Sequence, residues 1–311
     1  GLKREKSHVN LYELNEHFTP YFETMFASNT SRAQIAESGT FFAEAYILDL
    51  DDFPAPFQAA LIDLYGTDYD EYGVYVGKRN VEGGPRSDNT SHDSFRIVTG
   101  LKGDINDTWS YDVSYLYANT RSTSTYVNDF FAPNITKNID PDTADILYDV
   151  FTYQGVTPEQ ANALTGVGIL NGNSSTEVIN GFVTGDLFAL PTASDPIKVV
   201  VGYEWREETF ERLSDTVFEE GQLLGQGGPT PSLIGSYNVT EFFGEANVPL
   251  LDGLALDLAY RYSDYSTVGG QDTYRAGLDW QPIDLVRFRV GYNRAVRAPN
   301  AAELFAVNNL G

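Results

Sequence analysis

Between Leu254 and Tyr292 the sequence alternates with period two through three successive segments, a pattern that suits strands with two unlike faces. Leu254, Leu256, Leu258, Tyr260 and Tyr262 oppose Ala255, Asp257, Ala259, Arg261 and Ser263. Tyr274, Ala276, Leu278 and Trp280 then oppose Thr273, Arg275, Gly277, Asp279 and Gln281, and Val286, Phe288, Val290 and Tyr292 oppose Arg287, Arg289, Gly291 and Asn293. Earlier segments carry the same signature. Ile197, Val199, Val201, Tyr203 and Trp205 face away from Glu204, Arg206 and Glu208, and Trp109, Tyr111, Val113, Tyr115 and Tyr117 face away from Ser110, Asp112 and Ser114. About ten strands are predicted, at 5–14, 18–31, 93–104, 108–121, 178–190, 197–212, 237–249, 254–266, 272–282 and 285–297.

The connections between these strands alternate between short and long. Short ones centre on Asn15 and Glu16, Asn106 and Asp107, Pro191 to Pro196, Leu251 to Gly253, and Pro282 to Asp284. Long ones occupy about 32–92, 122–177 and 213–236, with a brief one near Thr267 to Gln271 and a last beginning at Ala298. Tight turns at one rim and long loops at the other characterise transmembrane barrels, whereas soluble sandwiches seldom sort loop length by end. Within the long loops, Ala59 to Tyr65 and Pro158 to Leu164 are helix-compatible.

The polar faces separate a membrane barrel from a soluble sandwich. A sandwich turns its polar face to bulk water and enriches it in Lys and Glu; here that face holds Gly, Ser, Ala, Asp and Arg, which suits a crowded lumen. Aromatics such as Trp109, Trp205, Tyr262, Tyr265, Trp280 and Tyr292 stand near strand ends, as in interfacial girdles. No run of about 18 apolar residues is present, so no transmembrane helix is expected. A mean hydropathy of −0.28 remains compatible with strands that are apolar on one side only. The net charge of −24 argues against nucleic acid as a partner. With no cysteine, neither a disulfide framework nor a thiolate site is available.

Two stretches carry a family resemblance. Tyr260 to Ser266 reads Tyr-Arg-Tyr-Ser-Asp-Tyr-Ser, and Arg294 to Asn300 reads Arg-Ala-Val-Arg-Ala-Pro-Asn, with Glu303, Leu304 and Phe305 following. Between them lie Tyr274, Arg275, Ala276, Gly277, Leu278 and Trp280; before them lie Phe243, Gly244, Glu245, Asn247, Pro249 and Leu250, and Gly185 to Phe188. This combination resembles the barrel of TonB-dependent outer-membrane receptors, strongly from Val178 to Phe305 and more weakly before.

The resemblance implies an all-β fold, a transmembrane antiparallel up-and-down β-barrel of 22 strands of which about ten are here. The chain is read as a single partial barrel domain over 1–311, with the N-terminal plug domain, its TonB box and the C-terminal strands absent. The implied function is TonB-energised uptake of a scarce nutrient, a ferric siderophore, cobalamin or an oligosaccharide, in the outer membrane of a Gram-negative bacterium. The implied partners are the TonB-ExbB-ExbD complex, reached through the plug, together with outer-membrane lipid and a small-molecule or glycan ligand. The alternatives are a passive outer-membrane channel and a soluble β-rich carbohydrate-binding protein.

No enzymatic activity, cofactor, catalytic residue or metal site is expected. Glycine-x-serine-x-glycine elbows, phosphate loops and dinucleotide fingerprints do not occur. His8, His17 and His92 lack ligand spacing. The long loops are acidic, with Asp49, Asp51, Asp52, Asp63, Asp68, Asp70 and Glu71 in the first and Asp140, Asp142, Asp145 and Asp149 in the second. Asp68 does not open an EF-hand, because Tyr72 takes the third ligand position and Arg79 stands where the bidentate Glu belongs. The ligand candidates are Asp68, Asp70, Tyr69 and Tyr72, with Tyr65 and Tyr75 as further rings for stacking on a sugar or an aromatic siderophore. Arg294, Arg297, Pro299, Asn300, Glu303, Leu304 and Phe305 are expected to be structural.

Overall fold

The computed structural model describes residues 2–152 and 155–305. In chain order the strands are β1 (Leu2–Leu11), β2 (Thr19–Glu37), β3 (Gly39–Asp49), β4 (Glu71–Arg79), β5 (Pro85–Asn106), β6 (Trp109–Phe130), β7 (Thr165–Ala189), β8 (Pro196–Ser214), β9 (Leu233–Leu251), β10 (Leu254–Tyr265), β11 (Gly269–Ile283) and β12 (Val286–Arg294). Ten of them form one antiparallel up-and-down sheet in the order β1-β2-β5-β6-β7-β8-β9-β10-β11-β12, and β3 pairs with β4 alone. The large sheet is an unclosed barrel, because among the described residues β1 and β12 each have one neighbour.

Register carries the period-two pattern from strand to strand. Val199, Val201 and Tyr203 of β8 stand beside Ala246, Gly244 and Phe242 of β9, which in turn adjoin Leu258, Tyr260 and Tyr262 of β10. Tyr260, Leu258 and Leu256 then adjoin Tyr274, Ala276 and Leu278 of β11, and the last two meet Tyr292 and Val290 of β12. This apolar outer face is uncovered: Val201 is 58% exposed and Val290 71%. The alternate residues make an inner face laced by polar cross-strand pairs. Glu241 accepts from Arg261 at 2.8 Å and from Ser263 at 2.5 Å, Asn247 donates to Asp257 at 2.6 Å, and Tyr237 donates to Glu208 at 2.6 Å. β1 is the exception. Arg4, Lys6, His8 and Asn10 share the outer face with Ser28, Phe26, Thr24 and Phe22 of β2, a charged row on an edge strand.

Most strands run further toward the long-loop rim than the apolar alternation alone indicates. Thr120 to Thr125 of β6 pairs with Ser94 to Asn89 on β5 and with Ser174 to Ile169 on β7, although these stretches are mostly polar. Backbone ladder bonds and cross-strand hydroxyl pairs hold them, as between Ser94 and Thr120 at 2.9 Å and Ser175 and Thr209 at 2.6 Å. The connecting segments therefore shrink to 38–84, 131–164 and 215–232. β12 stops at Arg294, three residues short of the predicted end.

These segments are folded. The first holds the β3-β4 hairpin and α1 (Ala55–Tyr65), the second α2 (Ala132–Ile139) and α3 (Pro158–Ala163), the third α4 (Thr216–Glu219); α5 (Ala301–Phe305) follows β12. α1 and α3 lie where helix-compatible sequence was predicted. β3, β4, α2, α4 and α5 were not foreseen. Tyr46 and Leu48 of β3 and Val76 of β4 pack on Phe130, Ile135, Ile139, Tyr148 and Leu164, so the first two segments share one apolar core above the sheet. Among the described residues no helix is long and apolar enough to cross a membrane, which says nothing of strands.

Candidate ligand cleft at the loop rim

Phe53, Phe57, Leu61 and Tyr65 recur every four residues, so α1 and the turn before it present them along one face. That face meets Tyr72 and Val74 of β4, with Phe151 from the second segment, around a cleft of about 640 Å³. Phe53 is its floor, 5.9 Å from the Tyr72 ring edge-on and 5.5 Å from Phe151. Phe57 lies 6.1 Å from Phe151, and Tyr65 lies 6.2 Å from Tyr72. Tyr65, Tyr69 and Tyr75 are about 60% exposed, so ring surface is free at the mouth. The Tyr72 hydroxyl donates to the Tyr69 carbonyl at 3.2 Å, holding the turn that carries Tyr69.

Of the predicted ligand residues, Tyr69 and Tyr72 line this cleft with Tyr65 and Tyr75, whereas Asp68 and Asp70 do not. Both acids are exposed in the turn before β4, where the Asp70 carbonyl accepts from Leu50 N at 2.9 Å. Among the described residues Glu71 is the one carboxylate in the lining. Phe53, Phe57, Leu61 and Phe151 were missed; the spacing of four from Phe53 to Tyr65 was the available signal. Many loop acids serve the backbone instead. Asp149 accepts from Phe151 N and Thr152 N at 3.0 Å, and Asp140 accepts from Asp142 N at 2.8 Å. Burial, with Asp140 and Asp142 adding repulsion, raises the Asp52 carboxyl above its ordinary value. Among the described residues no group of three or more His, Asp or Glu is arranged to hold a metal ion. His17 Nδ1 donates to the Asp104 carbonyl at 2.6 Å from the β1-β2 turn; His8 and His92 sit on strands.

A buried polar node fixes the loops to the rim. Asp129 is fully buried, accepts from Ser38 Oγ and from Gly225 N at 3.1 Å, and lies 3.8 Å from Arg86. Arg86 donates to the Ala36 carbonyl at 2.8 Å and the Gly225 carbonyl at 2.9 Å. One ion pair thus ties the first segment, β5, β6 and the third segment. Burial raises the Asp129 carboxyl, against the lowering effect of Ser38 and Arg86. Beside it Asn128, at φ 65°, donates to the Gly83 and Pro85 carbonyls at 2.8 and 3.0 Å. In the core below, burial pushes the Tyr148 hydroxyl up to about 12.

The segment after β12 closes over the inner face. Asn300 caps α5 reciprocally: Glu303 N donates to Asn300 Oδ1 at 2.8 Å and Asn300 N donates to Glu303 Oε2 at 2.9 Å. Arg297 grips the same Glu303 carboxylate at 2.6 and 2.8 Å, which lowers that carboxyl below its usual range. Leu304 and Phe305 pack on Tyr237 and Val239 of β9. Gly235 leaves the room, since a Cβ there would lie 2.0 Å from the Phe305 ring.

Residues 34–310 match the family described as TonB dependent receptor-like, beta-barrel. The chain belongs to that family. Its residues Arg297, Asn300, Glu303, Leu304 and Phe305, singled out as a family motif, make one capped and clamped turn, with Pro299 leading into the cap and Arg294 closing β12 opposite Tyr274. Among solved receptors, a mutant of the ferric enterobactin receptor PfeA from Pseudomonas aeruginosa aligns with a TM-score of 0.52 at 16% identity, over 96% of this chain and 34% of that one. The siderophore receptor PirA from Acinetobacter baumannii aligns with a TM-score of 0.52 at 14% identity over the same shares, 96% and 34%. At these identities the likeness is one of fold. The chain spans about a third of the length of these solved receptors, at 34%. No curated protein matches it.

Proposed function

We propose that the chain is part of the wall and extracellular loops of an outer-membrane receptor of a Gram-negative bacterium, which imports a scarce nutrient using energy delivered by the TonB-ExbB-ExbD complex. The supporting observation is the uncovered apolar outer face set against a polar, cross-linked inner face over ten strands. Large exposed apolar areas of this kind are not left in water, and lipid is the medium that suits them. The free edges of β1 and β12 call for further strands in the complete receptor, because unpaired edges are not tolerated in lipid. A plug inside the completed barrel would make contact with TonB. Family membership and the fold shared with siderophore receptors favour this reading over a passive channel and over a soluble carbohydrate-binding protein.

Uptake of radiolabelled ferric chelates and neutral glycans by cells carrying the complete receptor tests the proposal. Uptake is expected to vanish when TonB is deleted and to survive in its presence. Accumulation that is indifferent to TonB would establish a passive channel instead.

A further inference from the structure

The aromatic cleft lies in a strongly acidic setting. Segments 38–84, 131–164 and 215–232 hold 17 Asp and Glu against three Lys and Arg. Those three cations are already engaged. Lys78 pairs with Glu82 at 3.0 Å, Lys137 pairs with Asp145, and Arg79 donates to the Glu37 carbonyl at 2.8 Å while lying over the Phe41 ring. Among the described residues no Lys or Arg lines the cleft. An anionic ferric chelate would therefore meet repulsion on approach and find no cationic partner on arrival.

Resting on the receptor reading, we propose that this cleft is a carbohydrate subsite and that its ligand is a neutral oligosaccharide. Tyr65, Tyr69 and Tyr75 offer exposed rings whose electron-rich faces suit the C–H faces of a pyranose, and their hydroxyls together with Glu71 offer partners to sugar hydroxyls. Tyrosine provides both contacts from one side chain of low rotamer entropy. The volume of about 640 Å³ falls within the roughly 300–1,000 Å³ of small-molecule sites and accepts a short oligosaccharide. A cation is served less well. The rings are tilted or edge-on at centroid spacings of 5.5 to 6.2 Å along a strip, and a single carboxylate lines it, whereas a cation needs a closed cage to replace its water.

The test uses the complete receptor purified in detergent. Calorimetric binding is measured with neutral oligosaccharides from α-glucan, β-glucan, xylan and mannan, with a ferric tris-catecholate anion, and with tetraethylammonium. At least one neutral oligosaccharide is expected to bind, with an affinity unmoved by added salt and reduced about tenfold or more by the combined change Tyr65→Ala, Tyr69→Ala and Tyr75→Ala. The corresponding three Tyr→Phe changes, which keep the rings, are expected to retain most of the stacking and to show that the site still folds. Binding of the anion or the cation that the alanine changes abolish, or no oligosaccharide binding at all, overturns the subsite. Oligosaccharide binding combined with uptake that ignores TonB instead overturns the receptor reading and leaves the subsite standing.

Discussion

The strand wall from β8 to β12 and the folded body built by segments 38–84 and 131–164 obey different physics. In the wall, each residue's surroundings follow from its parity: one side meets the outer face, the other the polar interior. Backbone bonds between neighbouring strands supply the order, and no side chain of the outer row is buried by protein. The loop body has an ordinary core in which Leu48, Phe130, Ile135, Tyr148 and Leu164 are almost wholly inaccessible. It hangs on a few specific contacts, the Asp129–Arg86 node above all. A wall tolerates many changes and is read by periodicity; a body of this kind depends on individual residues.

That difference sets the expected effects. Asp129→Ala should act most strongly, because it strands a buried Arg86 guanidinium without its carboxylate, a loss of about 3–5 kcal/mol. Hydrogen exchange in segments 38–84, 131–164 and 215–232 should accelerate while the wall stays protected. Leu48→Ala, at about 2–5 kcal/mol, should loosen the first two segments more than the third, whose partly buried Leu224 also packs against their shared core. Equal acceleration in β10 to β12 would show that wall and body are one cooperative unit.

In the wall, parity is the variable to attack. Val201→Arg on the outer face should cost about 2–4 kcal/mol, read as a lower urea midpoint for barrel unfolding in vesicles, whereas Val200→Arg beside it should be nearly neutral. The smallest effects belong to α5. Asn300→Ala should cost about 0.5–2 kcal/mol of helix stability and speed tryptic cleavage after Arg297. Because Arg297 and Asn300 N hold the Glu303 carboxyl below its usual range, their stabilisation is present above the ordinary glutamate value and is lost as pH falls through the lowered one. Exposure of Arg297 to protease should therefore rise on acidification and also with salt, since the pair faces solvent.

The wall was legible because period two, register and short turns such as Asp252-Gly253 all point the same way. Where strands rise above the apolar band, as at Asn119 to Thr125, both faces are polar and periodicity falls silent, although the ladder continues. The β3-β4 hairpin was hidden for another reason: its buried face, Tyr46, Leu48 and Val76, is matched by apolar residues on the other side, Ile47 and Tyr75, one of which belongs to the cleft. Tyr65, Tyr69, Tyr72 and Tyr75 could be named from composition near acids. Their partners on α1 required the helix to start at Ala55, four residues before the predicted start, which puts Phe57 on it in line with Phe53. Phe151 comes from a distant segment and carries no local signal. The node of Ser38, Arg86 and Asp129 joins residues 91 positions apart and is likewise invisible to local pattern.

The wall's orientation in lipid is the claim on which the rest depends, and the lack of cysteine in this chain suits it to cysteine scanning. Single cysteines placed from Val199 to Glu204 of β8 in the complete receptor, in outer membranes, can be challenged with a water-soluble maleimide and with a lipid-dwelling nitroxide quencher. Positions 199, 201 and 203 are expected to resist the maleimide and to be quenched once labelled with a lipid-soluble fluorophore, while 200, 202 and 204 react with the maleimide and escape quenching. Uniform maleimide reactivity along the strand, or the opposite alternation, would contradict a lipid-facing outer wall.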